Sequence, residues 1–182
     1  MGLDIRAFKN VKLISDPKIS EAEDLTKVYR GHFVEQFGDL EDGGHYDCED
    51  DRWFCRMGYG RYSYFRNELA KVGGWPEYKV DKPDYSDPDY ENKSHYNRHP
   101  NLAAIYNQPG NEVFGPFVEV ICFSDCEGFI CADICKKLYQ DFVEHQAKAD
   151  ELLKDIPDFL KMYNGLRDAF EFGANNGFVQ YT

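Results

Sequence analysis

The sequence has no run approaching the ~20 consecutive apolar residues that an α-helix needs to cross a bilayer, so a helical membrane span is not expected. Proline is nearly absent outside one stretch: of the chain's eight, six fall between residues 76 and 116. Most of the chain is therefore clear of the residue that most often breaks helices and sheets. Basic side chains are outnumbered, with 21 Lys and Arg against 33 Asp and Glu, a formal net charge of -12. That balance excludes a general affinity for nucleic-acid backbones, which requires a basic footprint. It permits an acidic surface that imitates DNA, although many ordinary proteins are this acidic. Three signatures are also missing, the phosphate-cradling G-x-x-x-x-G-K, the dinucleotide G-x-G-x-x-G and the G-x-S-x-G elbow, and three large enzyme classes lose their main support with them. The opening Met1-Gly2-Leu3-Asp4-Ile5-Arg6 lacks the basic-then-apolar pattern of a signal peptide. Its Met-Gly start fails as a myristoylation signal because Arg6 stands where Ser or Thr is needed. The expected compartment is the cytoplasm, where six cysteines would stay as thiols.

Aromatic residues make up 16% and apolar residues 42% of the 182 positions, enough for one core at a length typical of one domain. The alternation of Leu3, Ile5 and Ala7 with Asp4, Arg6 and Phe8 predicts an opening strand. Ser20 and Glu23 have capping-box spacing, and Leu25, Val28, Tyr29 and Phe33 follow at helical spacing, predicting a helix over 20–34. Residues 38–51 carry seven carboxylates around Gly43-Gly44 and read as a solvated acidic loop. The Pro-rich stretch 76–116 reads as long loops with one short helix near Leu102–Tyr106.

Phe117–Phe123 is β-prone and apolar on both faces, which predicts an interior strand. A helix with Ile130, Ile134, Leu138 and Phe142 on its stripe should follow, to about Leu153. Pro157 and Asp158 should open a second helix with Phe159, Met162, Tyr163, Leu166, Ala169 and Phe170 on its buried face. Asn175-Asn176-Gly177 should then turn into a last strand, 178–181. Together these elements predict a single α+β domain: a small, mainly antiparallel sheet with helices on one face and long irregular loops.

The most binding-like stretch is Arg52–Gly74, where arginines interleave with aromatic rings. Arg61, Tyr62, Ser63, Tyr64 and Arg66 offer planar forks and hydroxyls suited to phosphate or carboxylate. Alternatively, the rings pack in the core while the arginines pair with the acidic segment upstream. Ser63 should cap a helix ending at Gly73-Gly74. Asp125 and Glu127 sit at a predicted strand-to-helix junction, where two carboxylates could hold a cation or divide acid and base roles, with Asp4, His45 or Arg66 as candidate helpers. Capping explains them as well. His95 and His99 are four apart, as two ligands on one helical face would be, but Tyr96 stands where a zinc-protease pattern needs Glu. Cys122, Cys126, Cys131 and Cys135 follow a C-x3-C-x4-C-x3-C spacing unlike the tight pairs of zinc sites. No cofactor is predicted.

The segments Met1–Ile5, Tyr62–Ala70, Phe123–Gly128 and Lys137–Phe142 together resemble a family of uncharacterised bacteriophage and prophage proteins. The resemblance covers the first ten residues, 57–74 and 117 onward. It implies a viral accessory protein acting on host machinery or host defences, without supplying a reaction. The expectation is a binding protein whose partner is a host protein or a small anionic ligand, with no membrane and with room for self-association into a homo-oligomer. The alternative is a small hydrolase or metal-dependent enzyme built on Asp125 and Glu127.

Overall fold

In the computed structural model, residues 2–15, 25–30, 34–78, 86, 88, 98–106, 114–123 and 128–182 are described. Strand β1 (Gly2–Leu13) buries alternate side chains from its start, as its period of two requires. It lies at the centre of a five-stranded antiparallel sheet of order β2-β3-β1-β5-β4. β3 (His45–Gly58) runs along one edge of β1, from Gly2 opposite Gly58 to Leu13 opposite Tyr46. The register slips between Ile5, opposite Cys55, and Arg6, opposite Trp53, so Phe54 is an extra residue and the strand bulges there. β5 (Phe178–Tyr181) pairs with the other edge of β1, and β4 (Gly128–Cys131) closes that side.

Helices α2 (Tyr59–Val72), α5 (Ala132–Glu144) and α7 (Pro157–Gly173) pack on one face of this sheet. Their contacts join Leu3, Ile5, Ala7, Val179 and Tyr181 to Phe65, Leu69, Phe142, Tyr163 and Phe170 in one core. A smaller cluster on the other face holds Phe8, Phe129, Phe178 and Tyr46, covered by Val28 and by Phe37 of α1 (Val34–Phe37). The expected α+β class is therefore observed. No helix among the described residues is long and apolar enough to cross a membrane.

Several local expectations are corrected. Of the helix expected over 20–34, the described residues 25–30 contain β2 (Thr26–Lys27) instead, paired with His45 and Tyr46 of β3. Val28 exchanges backbone bonds with Gly43 and Gly44 at 2.9 and 3.0 Å and is fully buried. Edge pairing plus one anchored side chain thus outweighs a weak helical stripe whose Tyr29 is exposed. The acidic loop expected over 38–51 is a turn only as far as Gly44, and His45–Asp51 is the first half of β3. Its carboxylates cost little there, because Asp47, Glu49 and Asp51 point to solvent while Tyr46 and Cys48 turn inward. Lys9 and Arg6 also meet Asp50 and Asp51 at 3.6 and 2.7 Å.

The interior strand expected at Phe117–Phe123 is instead a short helix, α4 (Val118–Cys122). Phe117 stands at φ 62, and its carbonyl accepts from the amides of Val120 and Ile121. A short run that is apolar on all sides fits a buried helix as well as a buried strand. The helix expected to carry Ile130 on its stripe starts only at Ala132, because Phe129 and Ile130 are taken into β4. It breaks at His145 and resumes as α6 (Gln146–Leu152). α2 begins at Tyr59, four residues before the proposed Ser63 cap, and ends as expected, with Gly74 at φ 82. α3 (Pro100–Tyr106) matches the short helix expected near Leu102. The stripe of α7 is buried as read.

Two polar residues of α2 hold the short helices in place. Arg66 is only 4% exposed, and its guanidinium donates to the Ile121 carbonyl at the end of α4 at 2.8 Å. Asn67 Oδ1 accepts from the amides of Asn101 and Leu102 at 3.0 and 3.2 Å, supplying the orphan donors at the start of α3 with an acceptor. Replacing Arg66 with Leu should therefore destabilise the fold by about 2–3 kcal/mol in urea unfolding, since it removes a buried hydrogen bond from a charged donor. A surface arginine would give a change near zero.

Candidate functional site

The side chains that could meet a ligand gather where α7 crosses β3. Contact there is set by Gly165, where a Cβ would lie 2.9 Å from Cys55 Cβ and 3.4 Å from the Phe54 carbonyl oxygen. Only glycine lets the helix come this close to the strand. On either side of the contact the surfaces diverge, leaving two hollows that share Phe54 as a wall.

The larger hollow, about 650 Å³, lies toward the C-terminal end of α7. Lys9 and Arg52 sit over the Phe172 ring at 5.3 and 4.9 Å and both approach Asp50, at 3.6 and 3.0 Å. Asp168 and Glu171 face them from α7. The cations here are already matched by carboxylates, so the hollow is close to electrically balanced.

The smaller hollow, about 400 Å³, lies toward the start of α7 and differs in kind. Its floor is apolar, from Phe54, Met57 and Met162, and its rim carries Arg56, Arg61 and Lys161 against Asp158, with Asp4 just outside the lining beside Arg56. Arg61 meets Asp158 at 2.9 Å and lies 5.4 Å from the Phe159 ring. Arg56 reaches Asp4 at 3.1 Å with its side chain 72% exposed. Among the described residues Lys161 makes no ion pair. This hollow is thus locally cationic on a chain whose formal charge is -12. An apolar bed with a few convergent charges is the usual make-up of a small-ligand site.

The sequence-derived candidates are placed apart by α2. Arg61 opens on the cationic hollow. Tyr62 is fully buried, beside Phe65 and Tyr181, and Arg66 is the core cap described above. Ser63 is half-buried within 3.5 Å of an Arg66 nitrogen, whereas Tyr64 is exposed and meets the His99 ring edge-on at 4.6 Å. The five residues therefore share no single surface. Asp125, Glu127, His95 and Cys126 lie outside the described residues. His99 is buried just before α3, and among the described residues no three metal-ligating side chains converge. The Cys131 sulfur lies against Gly38, while that of Cys135 lies against Gly173 and 3.4 Å from the Ile130 carbonyl. Sequence reading missed Lys161, which looks like any surface lysine off the apolar stripe of α7 and becomes notable only opposite Arg56 and Arg61.

The thiol at this seam is held neutral. Burial, with a smaller effect from the Asp168 and Asp4 carboxylates, pushes Cys55 up to about 12 from an ordinary 9.0. Burial likewise pushes Cys48 up to about 11 and Cys135 well above its ordinary value. A raised thiol pKa leaves stability intact below pH 9 and erodes it as pH climbs through the window from 9 to 12, where only the unfolded chain ionises readily. At pH 8 about one Cys55 in 10,000 is thiolate, so iodoacetamide should label it at least about 100-fold more slowly than in urea-unfolded protein, as read by peptide mass mapping. Equal rates would contradict this burial. No protein-family model, no curated protein and no solved structure matches this chain.

Proposed function

We propose that this chain is a non-catalytic binding protein of the phage accessory kind, and that its ligand is a small organic anion held in the cationic hollow between β3 and α7. The observation that carries the reading is the meeting of Arg56, Arg61 and Lys161 over an apolar floor on an otherwise strongly acidic protein. Two guanidinium forks and an ammonium suit a phosphate or carboxylate. Phe54, Met57 and Met162 suit the apolar or aromatic body that carries it, and methionine adapts to irregular shapes. Asp158 holds Arg61 in place until an anion competes for it. The viral setting rests on the resemblance of the Tyr62–Ala70 and Phe123–Gly128 segments, and in that setting sequestering a host-made anion is a direct way to act against the host. Its charge gives the protein no general hold on nucleic acid.

Titration calorimetry with phenyl phosphate, adenosine monophosphate, benzoate, inorganic phosphate and neutral adenosine tests the reading. Organic anions should bind in the micromolar range and weaken with salt, with inorganic phosphate at least about tenfold weaker and adenosine silent. Arg61→Ala and Lys161→Ala should each weaken binding about tenfold or more. Binding of adenosine as tight as that of its phosphate, or no heat from any anion at millimolar concentration, would refute it.

A further inference from the structure

We infer that the larger hollow, at the C-terminal end of α7, is a second ligand site, and that it takes a zwitterion: an ammonium and a carboxylate on one apolar body, as in a free amino acid or a short peptide. A hollow that is balanced as a whole still selects by charge when its two signs stand on opposite walls. Lys9 of β1 and Arg52 of β3 belong to the sheet wall, and Asp168 and Glu171 of α7 to the helix wall. The strand register explains the first pair. Ala7 lies opposite Arg52 and Lys9 opposite Asp50, so these charged side chains leave the sheet on the face that Ala7 turns toward the helices.

Each wall settles its charges within itself. Lys9 and Arg52 share the one carboxylate of Asp50, at 3.6 and 3.0 Å. On the helix wall Asp168 accepts from its neighbour Arg167 at 2.8 Å, whereas Glu171 accepts the Tyr139 hydroxyl at 3.0 Å. Among the described residues Glu171 has no cation within ion-pair distance, and no ion pair joins the two walls. The sheet wall thus keeps a surplus of positive charge and the helix wall a surplus of negative charge, with about 650 Å³ of space beside them. A ligand of both signs complements the two walls together, and a ligand of one sign meets a like charge on one of them.

The second observation is that the polar atoms left over are of the right kind. Asp50 engages Arg52 only through Nη2, so Nη1 and Nε remain for a ligand carboxylate, with the Lys9 ammonium beside them. Asp168 Oδ1 receives both Arg167 bonds, so Oδ2 remains for a ligand ammonium, together with Glu171 Oε2. α7 ends here, and the negative end of its dipole adds to the preference for an ammonium on this wall. The apolar body lies against Phe54 and Phe172, whose ring centroids are 5.7 Å apart. Phe172 also carries Lys9 and Arg52 at 5.3 and 4.9 Å, which holds both cations over the apolar bed. The Asn10 amide donates to the Asn175 carbonyl at 2.9 Å and so ties the two walls together.

The test uses the intact chain carrying Arg61→Ala and Lys161→Ala, which disable the cationic hollow, so that success or failure here is independent of the anion reading. Calorimetry compares phenylalanine and the dipeptide leucyl-phenylalanine with 3-phenylpropionate, which lacks the ammonium, and with phenethylamine, which lacks the carboxylate. At least one zwitterion should bind with Kd of about 0.1–1 mM, and both single-charge relatives should bind at least about tenfold more weakly. The tighter of the two zwitterions distinguishes an amino-acid site from a peptide site. Glu171→Gln, which keeps an acceptor for Tyr139, should weaken the zwitterion about tenfold and leave 3-phenylpropionate no weaker. Arg52→Gln should weaken it as much and leave phenethylamine no weaker. Both side chains are exposed, so neither substitution should lower the melting temperature. No binding of either zwitterion at about 10 mM would overturn the proposal. So would zwitterions that bind no more tightly than their single-charge relatives, or that bind as well after both substitutions.

Discussion

Between Ile5 and Phe8, β1 is hydrogen-bonded along both edges, to β3 and to β5, while its side chains enter both hydrophobic clusters. Backbone polar groups buried this deeply must find partners, and only two flanking strands can supply them on both sides. That requirement fixes the rest. It draws the acidic segment 45–51 into a strand although its composition argues for a loop, and it brings Phe178–Tyr181 beside residues nearly a whole chain length away. It also leaves the Phe8 and Phe178 rings in tilted contact at 4.7 Å on one face while Ile5 and Tyr181 enter the main core on the other.

A second layer of constraint comes from α2. Its arginine and aromatic residues look like a recognition surface in the sequence, yet Tyr62 and Arg66 point into the protein. Arg66 satisfies the carbonyl end of α4 and Asn67 the amide end of α3. These helices are too short to stabilise themselves, so their positions depend on side chains projected from a longer one. The motif Tyr62–Ala70 is therefore mainly a packing hub, with Tyr64 exposed within it and Arg61 turned outward just before it. Trp75 extends the same logic, donating from Nε1 to the Pro116 carbonyl at 3.1 Å and so fixing the approach to α4.

How much of this was legible in the sequence follows from where the decisive contacts lie. α7 was readable because Phe159, Met162, Tyr163, Leu166, Ala169 and Phe170 state its buried face through local spacing alone, and Asn176, at φ 49, with Gly177 announced the turn into β5. β1 was readable by its alternation. α4, β2 and the first half of β3 were not, because each is decided by a partner distant in sequence: Arg66 for α4, Tyr46 for β2, and β1 for β3. The cationic hollow was half legible. Arg56 and Arg61 stood out among aromatic residues, but Lys161 comes from another element, and Gly165 reveals its purpose only against Cys55. No periodicity encodes a helix-to-strand approach made by the absence of a side chain.

The pairing of β1 with β5 also sets an order of events during synthesis. β1 and β3 emerge early and can zip together as soon as both have left the ribosome, but the other edge of β1 has to wait for residues 178–181. Until then the nascent sheet exposes an uncapped strand flanked by Ile5, Ala7 and Phe8, the kind of surface that invites pairing with a stranger. Slow elongation or a stall between β3 and β5 would therefore lengthen the time this half-sheet is left open, whereas one before β3 would not.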